Sequence, residues 1–216
     1  MPTKAYCKFL KNMETVSRLH ETYDLIRTTR GTRGRAAFDH VTRSAIIFLA
    51  AAFEVYIEDV IIECCNQQIS FAQDAVNLPH DVKKTINDYV KQEGNGEPPT
   101  NLCDEGWRRV YRKIVEQRTG KLNTPKKQQI ADLFKSLIGI VESKINAIQN
   151  ISDLDGIIAF RGEIAHRVRA NIYVGIDQLV EKQEKIEKIV KSTDKTILAF
   201  FRNTYQGRRL PWNDVY

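Results

Sequence analysis

Arg161 and His166 stand five positions apart in AFRGEIAHR (159–167), a stretch otherwise rich in apolar residues. An arginine carries a permanent planar cation that forks onto phosphate oxygens. A histidine has a reference pKa of about 6.5, so it gives or takes a proton near neutrality. Together they suit phosphodiester chemistry, in which the imidazole moves protons and the guanidinium stabilises charge building on phosphorus. Glu163 lies three residues before His166, within one helical turn, where it either holds the other ring nitrogen or faces water as a plain surface acid. Arg167 and Arg169 follow directly and are candidates for phosphate contact, with surface solubility as the alternative.

Spacing alone does not single this pair out, because Arg35 and His40 in RAAFDH repeat it. Five residues along an ideal helix turn through about 500°, which leaves Arg161 and His166 roughly 140° apart. Glu54, in AAFEVYIEDV, is the first charge after the apolar run Ala45–Phe53. Either it sits at the core edge with its carboxylate in water, or it is a buried acid that must find a partner, since an unpaired buried charge costs several kcal/mol.

Other chemistries lack their residues. No His/Asp/Glu cluster has metal-ligand spacing, and no Walker-type loop or Gly-x-Ser-x-Gly elbow appears. No metal and no cofactor is expected. The four cysteines, Cys7, Cys64, Cys65 and Cys103, include no Cys-x-x-Cys pair. Cys64 and Cys65 point about 100° apart on a predicted helix, a poor geometry for a disulfide or a shared metal, so all four read as buried or half-buried free thiols of a reducing compartment.

The elements that must position these residues read as helices throughout. With 11 glycines and 6 prolines in 216 residues, long helices are favoured over many short strands. No segment alternates with period two for long enough to argue for a strand. Residues 5–28 place Phe9, Leu10, Met13, Val16, Leu19, Tyr23 and Ile26 on one face. RTTRGTRGR breaks that helix, and a long one follows over 36–70, apolar nearly all round its middle and therefore central. A shorter helix with Pro79 in its first turn precedes the loop GNGEPPTN. LCDEGWRRVYRKIVEQRTGKLN reads as irregular or briefly helical, with Trp107 and Tyr111 packing it onto the core rather than stacking bases.

Thr124 and Pro125 then signal a helix start, and Ile130, Leu133, Phe134, Leu137, Ile138, Val141, Ile145 and Ile148 form one stripe. Ser152 with Asp155 reads as a capping box for the helix that carries Arg161 and His166. RVRANIYVG breaks it, a last helix spans 177–203, EKQEKIEK is its solvated face, and 206–216 is an irregular tail. The expectation is an all-α, single-domain helical bundle over 1–216. A net charge of +6 suits a phosphate-bearing partner without requiring one. The N-terminus lacks the apolar core of a signal peptide and Ala45–Phe53 is about half a membrane span, so a soluble cytoplasmic protein with no membrane partner is expected.

LDGIIAFRGEIAHR resembles the arginine–histidine motif of the HEPN superfamily, all-α domains that include many prokaryotic ribonucleases. There the motif often ends Ile-Ala-His and precedes the final helical stretch, as here. RSAIIFLAAAFEVYIEDVI is similar to the long helix of the RiboL-PSP-type and MAE-type branches, which carries a glutamate and a tyrosine in an apolar setting. GWRRVYRKIVEQRTGKLNTPKKQQIADLFKSLIGI resembles the segment with Gly-Trp-Arg, then Asn-Thr-Pro, then Leu-Phe and Gly-Ile. The resemblance covers about 36–205.

It implies a metal-independent endoribonuclease. The RNA's own 2′-hydroxyl attacks phosphorus and the products are a 2′,3′-cyclic phosphate and a 5′-hydroxyl. Arg161 and His166 would be catalytic, Glu54 and Glu163 supporting, and Arg167 and Arg169 RNA-binding. One histidine per chain is short of a base and an acid, and the family's usual answer is a homodimer with two motifs facing one cleft. By family analogy the role is a toxin or anti-phage effector with an antitoxin or defence partner. Gly162 departs from the pattern, because the residue after the motif arginine is commonly polar. It supports an alternative, a catalytically inactive bundle that binds RNA or a protein.

Overall fold

A 33-residue helix apolar nearly all round its middle has to be packed on most sides, and α2 (Asp39–Phe71) is, although Phe48 on it stays 49% exposed. Ala45, Ile46, Leu49, Phe53, Tyr56, Ile57, Val60 and Ile61 are all buried along it. The computed structural model describes residues 2–30, 38–92, 96, 98–166 and 173–213. Among them no strand occurs. The helices are α1 (Lys4–Arg30), α2, α3 (His80–Lys91), α4 (Gly106–Thr119), α5 (Lys127–Leu133), α6 (Glu142–Asn146), α7 (Leu154–His166) and α8 (Ile176–Thr204). Helices α1, α4, α7 and α8 all pack against α2, and one apolar cluster draws on every helix. The architecture is an all-α bundle with α2 as its axis.

Helix α1 packs through Phe9, Met13, Val16 and Tyr23, but Leu10 is 48% exposed. The buried stripe is narrower than the apolar pattern because α1 lies mainly along one neighbour, α2. Its N-terminus is held by two carboxylates. Glu63 accepts from the Lys4 and Ala5 amides at 3.0 Å each, and buried Asp194 accepts from the Thr3 hydroxyl at 2.5 Å.

The stretch expected to be irregular or briefly helical is α4, fourteen regular residues with Trp107, Val110, Tyr111, Ile114 and Val115 inward. Trp107 is sealed, so it stacks no base. The Arg108 guanidinium lies 4.7 Å over its ring, pairs with Glu105, and donates to the Ala72 and Gln73 carbonyls just past α2.

Two helix starts differ from expectation. Helix α5 begins at Lys127 rather than Pro125, and Thr124 adopts φ +50°, outside helical geometry. Asp155 caps a different helix from its own, because its Oδ1 accepts from the Lys127 amide at 2.7 Å. The stripe from Ile130 to Ile148 is not one helix. Residues Phe134–Ile138 form a π turn, and Gly139 ends it at φ +92°. A Cβ there would lie 2.5 Å from Pro79 Cβ, so only glycine fits. The register changes at this point, and Val141 ends up 47% exposed.

The π turn is fastened by a buried polar knot. Gln68 Nε2 donates to the Ile138 carbonyl at 2.7 Å. The Tyr111 hydroxyl shares its proton between Gln68 Oε1 and the Leu137 carbonyl. Cys64 and Cys65 are buried beside it, and burial pushes the Cys65 thiol up to about 12. All four cysteines are free, but Cys103 is exposed, on an irregular link rather than in the core.

Candidate active site

Helix α7 carries the Arg161–His166 motif. Leu154, Ile157, Ile158 and Ile164 are buried along one face. Arg161 occupies that same face, four residues after Ile157 and three before Ile164, and is half-buried. Its Nε is buried and, among the described residues, has no hydrogen-bond partner. A charged donor without a partner costs more than a neutral one, so this position works against stability.

His166 is exposed and ends the described part of α7. Because α7 is regular over Leu154–His166, the 140° separation from Arg161 holds in the structure. Glu163 is exposed and lies about 60° from His166 around the axis, the nearer neighbour of the two. Arg167 and Arg169 lie outside the described residues.

Glu54 is half-buried on α2, the helix against which α7 packs. Among the described residues, no side-chain hydrogen bond or ion pair joins Glu54, Arg161, Glu163 and His166 to one another. Among the described residues these groups form no closed triad within one chain. Glu54 also acts on its own helix. Burial first, and then the Glu54 and Asp59 charges, raise the Glu58 carboxyl above its ordinary value against the opposing pull of Lys8.

Gly162 leaves room. A Cβ built there meets nothing within 4 Å. The absent polar side chain is therefore a fact of sequence and not of crowding.

The structure adds one cation that sequence reading assigned to a solvated face. Lys182 of α8 places its Nζ 4.5 Å over the ring of Phe160, the residue before Arg161. Lys185, one turn on, binds Asp153 Oδ1 at 3.2 Å and Glu181 Oε1 at 2.7 Å. The Lys/Glu pattern of α8 gave no sign of this, because an i, i+4 ladder reads identically whether or not an aromatic ring lies across it.

Among the described residues no group of three or more His, Cys, Asp or Glu is placed to hold a metal ion. Likewise, no helix there is long and apolar enough to cross a membrane. A family model, RiboL-PSP-HEPN, matches residues 13–199. The chain belongs to the RiboL-PSP-HEPN family. No curated protein and no solved structure matches it. The match begins in α1, ahead of the 36–205 span of the sequence resemblance, and it includes α7 entire. Membership supports a nuclease-related or RNA-related role.

Proposed function

We propose that the protein is a metal-independent endoribonuclease whose Arg161 and His166 act on the scissile phosphodiester. The observation that carries this is Arg161 itself, a guanidinium in the apolar stripe of α7 whose buried Nε has no partner among the described residues. A phosphate oxygen is the acceptor that such a donor lacks. His166, exposed at the end of the described helix, is open to a large substrate. It removes the 2′-hydroxyl proton or protonates the leaving 5′-oxygen. Glu163 holds the imidazole from one turn back, and Glu54 supports the arginine side from α2. Arg167 and Arg169 hold flanking phosphates.

The 140° between Arg161 and His166 argues against one helix completing the site alone. A two-fold homodimer supplies a second histidine and so both a base and an acid. The biological setting follows from family analogy: a toxin or anti-phage effector in the cytoplasm, restrained or triggered by a partner protein.

The test is cleavage of a 5′-labelled RNA in EDTA, with sedimentation of the same sample. The expected result is a dimer that releases 2′,3′-cyclic phosphate ends, with Arg161→Ala and His166→Ala each lowering the rate about 10²–10⁴-fold while staying folded. Equal rates for all three proteins would sink the proposal.

Gly162 favours a second reading, an inactive HEPN bundle that binds RNA or a protein. Its signature is RNA binding that weakens steeply with salt and no cleavage by wild type. Restoration of cleavage by Gly162→Asn would identify the missing group.

A further inference from the structure

The last turn of α8 and the chain after it form a cavity of about 470 Å³ that the α7 site does not use. Arg202, Arg208 and Arg209 line it together with Asn213, and none of the described lining residues is acidic. Among the described residues neither Arg208 nor Arg209 has a side-chain hydrogen bond or ion pair. The Arg208 and Arg209 guanidinium groups at one concavity repel each other, and an anion seated between them relieves that repulsion.

This chain segment is built rather than trailing. Tyr205 stacks on Phe201 with ring centroids 5.5 Å apart. Gly207 makes the turn at φ +77°. Trp212 is buried edge-on against Phe201 at 4.9 Å, and its Nε1 donates to Glu63 Oε1 at 2.7 Å. Both ends of the arginine loop are therefore fixed to the core, which lowers the entropy cost of gathering cations around a ligand.

Position supplies the second argument. Lys182 marks where α8 meets α7, and Arg202 lies twenty residues further along the same continuous helix. Twenty residues at 1.5 Å each put the cavity about 30 Å from the Arg161 region. A strand with stacked bases advances about 3.4 Å per nucleotide along its axis, so roughly nine nucleotides cover that distance.

We propose that this cavity is a second phosphate site, seating a backbone phosphate of an RNA strand about nine nucleotides from the phosphodiester held at α7. The choice of RNA rests on the ribonuclease reading above; the phosphate chemistry of the cavity does not.

The test uses the full chain carrying His166→Ala, so that RNA stays intact, with and without Arg208→Gln/Arg209→Gln. Binding of a 20-nucleotide RNA and of a tetranucleotide is followed by fluorescence anisotropy over a salt series, and circular dichroism checks the fold. The double variant is expected to weaken 20-mer binding at least tenfold. It should reduce the slope of log affinity against log salt by about 0.7, for the one phosphate no longer held. Tetranucleotide affinity should change less than twofold, because a short strand does not reach both sites. Unchanged 20-mer binding overturns the proposal even where His166-dependent cleavage is confirmed. A length-dependent loss supports it even where the wild type cleaves nothing, in which case the ribonuclease reading falls alone. Inorganic pyrophosphate is titrated alone as well; if it binds the parent and not the double variant while RNA binding is untouched, the cavity belongs to a free phosphate ligand and the RNA assignment is overturned.

Discussion

Tyr111 and Arg161 each bring polar atoms into apolar surroundings, and the chain finishes the two sites differently. Around Tyr111 the hydroxyl reaches Gln68 and the Leu137 carbonyl, and Gln68 closes onto Ile138. At Arg161 the Nε is buried with no partner among the described residues. A satisfied knot fixes a backbone turn and does nothing else. An unsatisfied donor is a cost that folding does not explain, and under the proposed function a bound phosphate would supply its acceptor. The difference teaches where in this bundle structure ends and function begins.

The largest effect should come from cutting the satisfied side. Tyr111→Ala removes a fully buried aromatic and frees the π turn, so urea unfolding should show a loss of about 3–5 kcal/mol. Any RNA cleavage by the fraction still folded should be normal. A variant that kept its stability would show that the knot is ornamental.

On the unsatisfied side the pattern should invert. Arg161→Ala should shift unfolding by less than about 1 kcal/mol, because no hydrogen bond is broken, while RNA cleavage falls about 10²–10³-fold. A severe loss of stability with activity retained would turn Arg161 into a structural residue and erase the contrast.

Gly162 tests the helix between them. Gly162→Ala adds a Cβ into open space and should stabilise the chain by about 1 kcal/mol, read as a higher Tm. A fall in Tm would mean that the position is covered when the protein is assembled.

Glu58 gives the smallest effect and a pH sign. Its carboxyl is raised by burial, then by Glu54 and Asp59. The ionised form is thus disfavoured in the folded chain. That penalty is present in full above the raised folded pKa and vanishes below the ordinary carboxylate value of about 4.3. Glu58→Gln should raise stability at pH 7 by a few tenths of a kcal/mol, and by nothing at pH 3.5. Equal gains at both pH values would remove electrostatics as the cause.

Sequence periodicity was enough to place α1, α2, α7 and α8 within a few residues, because each buries a stripe whose spacing is written directly in the chain. The central role of α2 was equally readable, since a helix apolar on all sides has to be surrounded. The family, too, was legible, from three ordered motifs rather than from the Arg-x4-His spacing, which occurs twice.

What the sequence left open are relations between segments. That Asp155 caps α5, that Gly139 must be glycine because Pro79 lies against it, and that Val141 turns outward are consequences of neighbours far along the chain. Local propensity carries no information about a clash or a hydrogen bond that forms when two helices meet. The same holds for function. The types and order of Arg161, Glu163 and His166 were fixed by the chain itself. That Arg161 faces the apolar side with a nitrogen unpaired among the described residues, and that Arg208 and Arg209 gather with Arg202 around a cavity, was decided by packing. Burial and convergence belong to the assembled bundle, since one helix cannot by itself deprive a side chain of water.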